Sequence, residues 1–410
     1  MAQETGTLLF NPFDPAFRID PYSVYAHIRD VAPIHQGAFD AWVLSRYADC
    51  VAVLKDPRSS SDSANSTAYQ QFVEQSGSDP EELIEGARPF LFMDPPDHTR
   101  LRGLVNKAFT PRVADELRPR IQQIVGELLD AAAGKGEIEI IEEFAYLVPV
   151  RVICEMLGVP AEDHETFKGW SRELARSLDP EEMLPPDVVE RRQQAIAAFR
   201  EYFRSLIAQR RAEPRADLLS ALIAAEEQGD KLTEDELLST CVLLLVAGHE
   251  TTVNLIGNGT LALLRNPEQL ARLRADPSLA RSAVEEVLRY DPPVQLTGRT
   301  ALEDMEIGGE TIKKGQQAII LIGSANRDPA QFPDAERFDI GRQDNRHLAF
   351  GHGVHFCLGA PLARVEGEIA LGTLARRLES PRLLVETPEY KENVVLRGLA
   401  ALPVAFEGAR

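Results

Sequence analysis

The sequence contains little cysteine. Only Cys50, Cys154, Cys241 and Cys357 occur among 410 residues, and they are widely spaced. Disulfide frameworks need paired cysteines in an oxidising compartment, so sparse cysteines are typical of free thiols in a reducing one. Any cysteine with a special role here is therefore expected to have that role because of its chemistry.

Basic residues are outnumbered by acidic ones. Lys and Arg total 44 and Asp and Glu total 64, which gives a formal net charge of −20. Nucleic acids and anionic membranes both attract basic surfaces, so this charge argues against either partner. A small-molecule function fits the composition better.

Targeting and membrane-spanning segments are also absent from the sequence pattern. No basic residue precedes Arg18, and the first residues contain no long apolar core, so we expect no signal peptide, no membrane anchor and a cytoplasmic location. Apolar residues make up 44% of the chain and charged residues 26%. This composition is typical of a soluble globular protein with an ample core.

The order of sequence patterns predicts the fold class. We find no internal repeat and no linker that would divide the chain, so one domain is expected over residues 1–410. Helical periodicity extends to about Leu288, short strand-like segments follow, and another amphipathic helix begins after Gly359. The polar segment 59–71 is interpreted as a mobile loop. The prediction is a mainly α fold with a small β region.

The longest predicted helix begins with a capping box. Thr233 and Glu236 have the required spacing, and the helical pattern continues to Arg265 before Asn-Pro ends it. Its apolar run, 241–247, is far shorter than the roughly 20 residues of a membrane span. We therefore expect this helix to cross the protein core.

The centre of that helix reads AGHETT, which is a poor helix centre. Gly248 weakens a helix and Glu250 is costly to bury. In one interpretation Ala247 and Gly248 let a flat ligand approach the backbone, while Glu250 and Thr251 supply protons. In the other, the helix is bent by its Thr and Gly residues and its acid is solvated.

The stretch RHLAFGHGVHFCLG concentrates histidine, cysteine and glycine. His347, His352, His355 and Cys357 are possible zinc ligands by residue type, but structural zinc sites usually pair their ligands in two clusters, and no second cysteine lies nearby. The alternative makes Cys357 the axial thiolate of a haem iron, where it favours cleavage of the O–O bond.

The neighbours of Cys357 suit a thiolate next to a planar cofactor. Gly351 and Gly353 allow close backbone approach, and Phe350 can shield the sulfur from water. Amide N–H groups of Leu358 and Gly359, at the start of the next helix, can stabilise the negative charge of the sulfur. An inert buried cysteine would not explain this whole string.

These motifs resemble those of the cytochrome P450 superfamily. FGHGVHFCLG resembles its haem-binding signature, with the fixed positions filled by Phe350, Gly351, Gly353, Cys357 and Gly359. AGHET resembles the family's central-helix motif at Ala247, Gly248, Glu250 and Thr251. The resemblance covers essentially the whole chain and implies one triangular helical domain that encloses haem b, with Cys357 as the iron ligand and Glu250 and Thr251 as catalytic residues.

Two further sets of positions follow from the resemblance. EVLR resembles the Glu-x-x-Arg motif, so Glu286 and Arg289, together with Arg337 of DAERF, are expected to form a buried structural triad. The expected cofactor-binding residues include four from the signature and two from the central helix: Phe350, Gly351, Cys357, Gly359, Ala247 and Gly248. The propionate-binding residues are expected to be His98, Arg102, Arg299 and His355.

The resemblance also implies a mostly apolar substrate pocket, which suits a hydrophobic substrate such as a macrolide, terpenoid, steroid or fatty acid. Its expected lining residues are Phe92, Leu243, Val246, Ala247, Val294, Gln295, Leu296, Val395 and Leu396.

The implied activity is a monooxygenase that needs two electrons per O₂. Since the chain has no flavin or ferredoxin segment of its own, a separate ferredoxin and an NAD(P)H-dependent ferredoxin reductase are expected, as is a monomer. A basic patch for the ferredoxin is predicted at Arg100, Lys107, Arg112 and Arg364. The alternatives are a peroxygenase that uses H₂O₂ and a non-catalytic haem or zinc protein.

Overall fold

The structure, a computed structural model, describes residues 11, 14–37, 41–77, 87–179, 184–227 and 232–409. Helices dominate these ranges. In chain order they are α1 Pro15–Ile19, α2 Tyr22–Val31, α3 Tyr47–Lys55, α4 Thr67–Ser76, α5 Asp97–Asn106, α6 Pro111–Glu116, α7 Arg118–Ala132, α8 Leu147–Leu157, α9 His164–Ala175, α10 Pro186–Ala212, α11 Leu218–Glu227, α12 Glu234–Arg265, α13 Pro267–Ala275, α14 Ala280–Tyr290, α15 Ile322–Ala325 and α16 Ala360–Arg377.

The strands are short and form small sheets. They are β1 Ile34–Gln36, β2 Trp42–Leu44, β3 Ser59–Ser60, β4 Glu137–Glu139, β5 Leu296–Ala301, β6 Met305–Ile307, β7 Glu310–Ile312, β8 Gln317–Leu321, β9 Leu378–Glu379, β10 Arg382–Leu383, β11 Pro403–Ala405 and β12 Gly408–Ala409. The largest sheet has the order β1-β2-β8-β5-β3, in which only β2 and β8 pair in parallel. The prediction of a mainly α fold with a small β region is confirmed.

Helix α12 crosses the core, as its sequence predicted. Thr233 Oγ1 accepts from the Glu236 amide at 3.2 Å, and Glu236 Oε2 accepts from the Thr233 amide at 2.8 Å, which completes the capping box. By length and composition the helix could span a membrane, but 72% of its most apolar window is buried inside the protein. The apolar residues of this helix therefore pack in the protein core.

Helices α8, α14 and α16 pack against α12 and surround its central part. At Gly367 of α16, a Cβ atom would lie 3.1 Å from side-chain atoms of both Leu255 on α12 and Val284 on α14. Only a very small residue allows these three helices to pack so closely. The packing fixes the loop before α16 relative to the centre of α12.

The segment 59–71 is ordered, so its interpretation as a mobile loop was wrong. It contains β3 and the start of α4, whose N-cap Ser66 accepts a hydrogen bond from the Tyr69 amide at 3.2 Å. The Ser61 amide also donates to Asp94 Oδ1 at 2.9 Å. Its serines and threonines therefore cap and anchor local structure, which a reading of composition alone does not reveal.

Candidate active site

The loop before α16 closes tightly around Cys357. The Cys357 amide donates to the Phe350 carbonyl at 2.8 Å, and Gly351 and Gly353 have φ values of 68° and 70°. A Cβ atom on Gly353 would lie 2.6 Å from the Leu54 carbonyl oxygen. Gly353 therefore allows close packing of this loop on α3 as well as its left-handed backbone.

Cys357 is half-buried, unlike the other three cysteines, which are buried. Burial raises the pKa of its thiol, while hydrogen bonds from the Gly359 and Ala360 amides act in the opposite direction, as do the charges of Arg102 and Arg364. The prediction placed one of these amides at Leu358, but Ala360, the first residue of α16, provides it. Donors at a helix start suit a thiolate.

The histidines near Cys357 have separate partners. His347 Nε2 lies 3.0 Å from Glu285 Oε2, and His352 Nδ1 accepts from the Gly353 amide at 2.8 Å. Among the residues that the structure describes, no three His, Cys, Asp or Glu side chains form a group that could hold a metal ion. The geometry therefore favours Cys357 as a single ligand over a zinc cluster.

Cationic and donor side chains gather on the same side of the site. The ring centroids of His98 and His355 are 4.1 Å apart. Burial, followed by the charges of His98, Arg299 and Arg102, lowers the pKa of His355 to about 3. The four predicted propionate ligands thus lie close enough to act on one another electrostatically.

Several donors of this cluster have no acceptor among the residues that the structure describes. Both ring nitrogens of His98 and Nε2 of His355 are buried without a hydrogen-bond partner among the described residues. Burial also lowers the pKa of Arg299 to about 10. Buried donors without partners are costly, and two carboxylates, such as the propionates of haem, would supply the missing acceptors and charge. The residues present therefore fit haem.

One face of α12, called the open stripe below, is not buried. Leu243, Ala247 and Thr251 follow one another at intervals of four, so they share a face, and none is buried although most of the surrounding helix is. A Cβ atom on Gly248 would lie 3.3 Å from the Ile153 side chain. Gly248 therefore permits packing of α8 on α12, whereas Ala247 provides the open surface.

The acid of the AGHETT motif is buried, so the interpretation as a solvated acid was wrong. Glu250 Oε1 accepts from Lys391 Nζ at 2.6 Å, and its side chain is only 4% exposed. Burial raises the pKa of Glu250, but the charge of Lys391 and its hydrogen bond act in the opposite direction, and the pKa lies below its usual value. Thr251 Oγ1 donates to the Ala247 carbonyl at 2.9 Å.

The buried charge cluster around Glu286 differs from the expected triad in one member. Arg289 donates to both carboxylate oxygens of Glu286 at 2.8 Å, and both side chains are fully buried. Arg337 was expected to complete the triad, but its side chain is 63% exposed and only its carbonyl faces Arg289. Arg342, with Nε 3.1 Å from Glu286 Oε2, takes the third place.

The predicted pocket residues differ in how exposed they are. Leu243, Val294, Leu296 and Val395 are half-buried, Phe92 is 38% exposed, and Val246 is nearly covered.

Gln295, another predicted pocket residue, points away from its neighbours in the predicted pocket. Its Nε2 donates to the Pro292 carbonyl at 2.9 Å and to the Tyr22 hydroxyl at 3.3 Å. Gln295 also lines a small cavity under the N-terminal segment together with Leu396. Adjacent residues of an extended segment point in opposite directions, so Gln295 cannot share a surface with both of its neighbours.

The predicted basic patch is largely neutralised. Arg100 lies 2.5 Å from Glu236, Arg112 lies 2.9 Å from Glu116, and Arg364 lies 2.6 Å from Glu285. Lys107 is exposed. The arginines therefore contribute little net charge at this surface.

Sequence reasoning missed Lys391 and Arg342. Lys391 is 141 positions from Glu250, and Arg342 is 56 positions from Glu286. Neither belongs to a local pattern that would indicate an ion pair, because both contacts arise from the tertiary fold.

The half-buried Cys357 thiol with helix-start amides and the unpartnered donors of His98 and His355 fit a haem-thiolate site. The cytochrome P450 family model matches residues 80–394, so the chain belongs to the cytochrome P450 family.

Known proteins resemble the chain over nearly its whole length. Cytochrome P450 107B1 of Saccharopolyspora erythraea is 45% identical over 404 residues, covering 96% of each chain. The 6-deoxyerythronolide B hydroxylase of the same organism is 41% identical and covers 96% of this chain and 98% of its own. The ligand-free crystal structure of Mycobacterium smegmatis CYP164A2 has a TM-score of 0.88 at 48% identity, covering 96% and 98%.

These findings establish the reaction class. The chain is a cytochrome P450 monooxygenase with a haem-thiolate cofactor, and it has the P450 fold. Bacterial relatives of this kind receive their electrons from external redox partners.

Proposed function

We propose that the protein hydroxylates or epoxidises a hydrophobic small molecule. One atom of O₂ enters the substrate and the other leaves as water, with the uptake of two electrons and two protons. The observation that carries the proposal is the set of unpartnered donors of His98 and His355 near Cys357, which fit haem, and the open stripe of Leu243, Ala247 and Thr251 on α12 supports it. When bound, haem supplies the activation of O₂.

The residues of this chain have distinct tasks in that reaction. Cys357 would ligate the iron, while His98, Arg102, Arg299 and His355 would hold the propionates. Charge-assisted hydrogen bonds of this kind would hold the cofactor in place.

The distal side orients the substrate and supplies protons. Leu243 and the apolar residues around it bind the substrate and exclude water. The hydrogen of the Thr251 hydroxyl is bonded to Ala247, so its oxygen is free to accept a hydrogen bond from a donor in the pocket. Glu250, the residue before Thr251 on α12, holds the proton supply.

The apolar lining supports a macrolide-, terpenoid-, steroid- or fatty-acid-like substrate. The relative that hydroxylates 6-deoxyerythronolide B supports the macrolide class in particular. The protein is proposed to work in the cytoplasm as a monomer, with residues 1–410 as one catalytic domain. Its electrons are proposed to come from a ferredoxin and an NAD(P)H-dependent ferredoxin reductase.

Use of H₂O₂ in place of O₂ is the second candidate activity. Peroxide already carries its two protons, so a peroxygenase would not need both a buried acid and a hydroxyl on the helix that lines the pocket. The presence of Glu250 and Thr251 on α12 therefore favours O₂.

A ligand screen tests the substrate class. The absorption spectrum of the ferric protein is followed during titration with macrolactones, steroids, terpenoids and fatty acids, because a substrate beside the haem changes the spin state of the iron. Products of the ligands that bind are then identified in the presence of ferredoxin, its reductase and NAD(P)H. If only polar ligands bind and turn over, the proposed substrate class is wrong.

Two neighbouring positions of α12 provide a matched pair for this screen. Leu243→Ala should weaken the binding of a hydrophobic ligand, because Leu243 belongs to the open stripe. Val242→Ala, one position away and on another face of the helix, should leave that affinity unchanged.

A further inference from the structure

His249 is a fully buried histidine whose two ring nitrogens both have hydrogen-bond partners. Its Nδ1 lies 2.7 Å from the Leu245 carbonyl oxygen, and its Nε2 lies 2.9 Å from Ser171 Oγ. A carbonyl oxygen only accepts, so Nδ1 carries the hydrogen. Burial lowers the pKa of His249, which keeps the ring neutral and leaves a lone pair on Nε2.

This tautomer fixes the direction of the neighbouring hydrogen bonds. Ser171 must donate its single hydrogen to His249 Nε2, so its oxygen is left to accept from the Tyr146 hydroxyl at 3.2 Å. Ser171 and Tyr146 are also buried. The three side chains therefore form one chain of hydrogen bonds, in which each hydroxyl hydrogen points from Tyr146 towards His249.

Tyr146, at the outer end of this chain of hydrogen bonds, lies at a cavity. Tyr146 lines a cavity of about 260 Å³ together with residues of α7, α8 and the start of α9, among them Arg120, Glu155 and His164. Glu155 is exposed, so the cavity has a solvent-facing rim. A cavity of this size, with charged and polar side chains in its lining, can hold several water molecules.

The inner end of this chain of hydrogen bonds lies near Glu250 on α12. His249 Nε2 is 3.9 Å from Glu250 Oε2, while the other carboxylate oxygen is bonded to Lys391. That distance exceeds a hydrogen bond but is within reach of a small side-chain rotation. Glu250 is followed directly by Thr251, which belongs to the open stripe of α12.

We propose that Tyr146, Ser171 and His249 form a proton relay that leads from this cavity to Glu250. A water in the cavity protonates the Tyr146 oxygen as the Tyr146 hydrogen passes to Ser171 and the Ser171 hydrogen passes to His249 Nε2. The imidazolium then gives this proton to Glu250 and returns to the neutral ring. One proton crosses per cycle, no electrons move, and rotation of the two hydroxyls restores the starting orientation.

The relay rests on the proposed function, because a reaction that takes up two protons per O₂ in a buried pocket needs a route from solvent. Tyr146, Ser171 and His249 are positioning residues in this scheme, since they act through Glu250. Lys391 offers a competing route, because its side chain is 25% exposed and contacts the same carboxylate. The experiment must therefore distinguish entry at Tyr146 from entry at Lys391.

The first measurement does not depend on activity. Nitrogen-15 NMR of histidine-labelled protein in its reduced CO complex reports the tautomer of His249, whose signal is assigned by its loss in His249→Gln. We expect hydrogen on Nδ1 and an unprotonated Nε2, and we expect the Nε2 shift to move in Ser171→Ala. Hydrogen on Nε2 in the unmodified protein would reverse the chain and overturn the relay.

The second measurement is the solvent deuterium isotope effect on product formation. Tyr146→Phe and Ser171→Ala each remove one hydroxyl from the relay. Each variant should slow product formation by about tenfold and raise the isotope effect. This loss of rate should stay below the roughly 10²-fold or more that removal of a direct acid–base group causes, because water can partly replace a hydroxyl. Ser171→Thr keeps a hydroxyl and should restore most of the rate.

Tyr202→Phe is the matched control. It removes another partly buried hydroxyl, which donates to Asp163 Oδ2 at 2.6 Å, and it should leave the rate and the isotope effect unchanged. Should Ser171→Ala fail to fold, Tyr146→Phe gives the same test with the ring retained. An unchanged isotope effect in the relay variants, or an increase seen only in Lys391→Met, would overturn the relay.

The CO spectrum separates failure of the relay from failure of the proposed function. If the reduced protein shows thiolate-ligated haem and forms product, a negative relay result concerns the relay alone. If no hydrophobic substrate is oxidised, the proposed function fails, whereas the NMR result still decides whether the hydrogen bonds point towards His249.

Discussion

Lys391 Nζ lies 2.6 Å from Glu250 Oε1, and this contact joins the segment that follows β10 to the centre of α12. Lys391 also lies 3.3 Å from Asn254 Oδ1, one helical turn further along α12. A buried carboxylate is costly unless it is paired, so Lys391 explains why the core helix tolerates Glu250. The same contact keeps the carboxyl ionised.

We predict that Lys391→Met destabilises the protein and raises the pKa of Glu250. The free energy of unfolding should fall by about 1–3 kcal/mol, less than for a fully buried pair, because Lys391 is partly exposed and Glu250 can take up a proton. Urea denaturation measures the first effect, and the carboxyl band in infrared spectra measures the second. Glu250→Gln removes the charge, so the double variant should lose much less than the sum of the two single changes.

Contacts between residues close in sequence could be predicted from spacing alone, whereas the proximity of His98, Arg102, Arg299 and His355 was expected only from the family resemblance. Thr233 and Glu236 are three residues apart, and the residues around Cys357 belong to one loop, so spacing alone indicates their geometry. Arg342 and Lys391 contact residues 56 and 141 positions away. Such contacts depend on how the helices pack, and no local pattern in the sequence encodes them.

Cys357→Ala should abolish the red-shifted Soret band that thiolate-ligated haem gives when the reduced protein binds CO. The physical reason is that no other thiol is available, because Cys50, Cys154 and Cys241 are buried, and burial raises the pKa of each. Replacement of any of these three by Ala should retain the band. A retained band in Cys357→Ala would remove Cys357 from the iron.

Arg342→Met should cost far more stability than Arg337→Met. Arg342 donates to the fully buried Glu286, which keeps Arg289 as a partner, so the loss of Arg342 should cost about 1–3 kcal/mol. Arg337 is 63% exposed, and among the described residues its side chain contacts only Asp339, at 4.0 Å, so its loss should stay within about 0.5 kcal/mol. Urea denaturation of the haem-loaded variants measures both, and equal costs would contradict the observed cluster.

Glu366 should make the protein less stable as the pH rises. Burial on α16 raises the pKa of this carboxyl to about 8, although the Thr252 hydroxyl acts in the opposite direction. Among the residues that the structure describes, its Oε2 has no hydrogen-bond partner. The folded state therefore keeps a proton that the unfolded state loses above a pKa of about 4.3. Between about pH 4.3 and 8 this group should cost about 1.4 kcal/mol per pH unit.

Denaturation at pH 5, 6, 7 and 8 tests that slope. Glu366→Gln cannot ionise, so its stability should fall less steeply than that of the unmodified protein over this range. Glu368→Gln, which removes an acid two residues away on the same helix, should retain the steep decline. Parallel curves for Glu366→Gln and the unmodified protein would show that the buried carboxyl does not hold the proton.

Thr251→Ala should separate the consumption of NAD(P)H from product formation. The Thr251 hydroxyl donates to the Ala247 carbonyl at 2.9 Å, so within the open stripe of α12 its oxygen acts as an acceptor. An acceptor there can hold the water or other donor that delivers a proton, and a methyl group cannot. The variant should still bind haem and substrate and oxidise NAD(P)H, but release more H₂O₂ and about tenfold less product per NAD(P)H.

Two further substitutions separate the hydroxyl of Thr251 from its shape. Thr251→Ser keeps the acceptor and should retain most of the coupling, whereas Thr251→Val keeps the volume and should behave like Thr251→Ala. Glu250→Gln should instead slow the whole O₂-dependent turnover, because the proton supply itself is impaired. Product and peroxide are measured per NAD(P)H consumed. Full coupling in both Thr251→Ala and Thr251→Val would exclude the hydroxyl from proton delivery and leave its bond to Ala247 as a purely structural feature of α12.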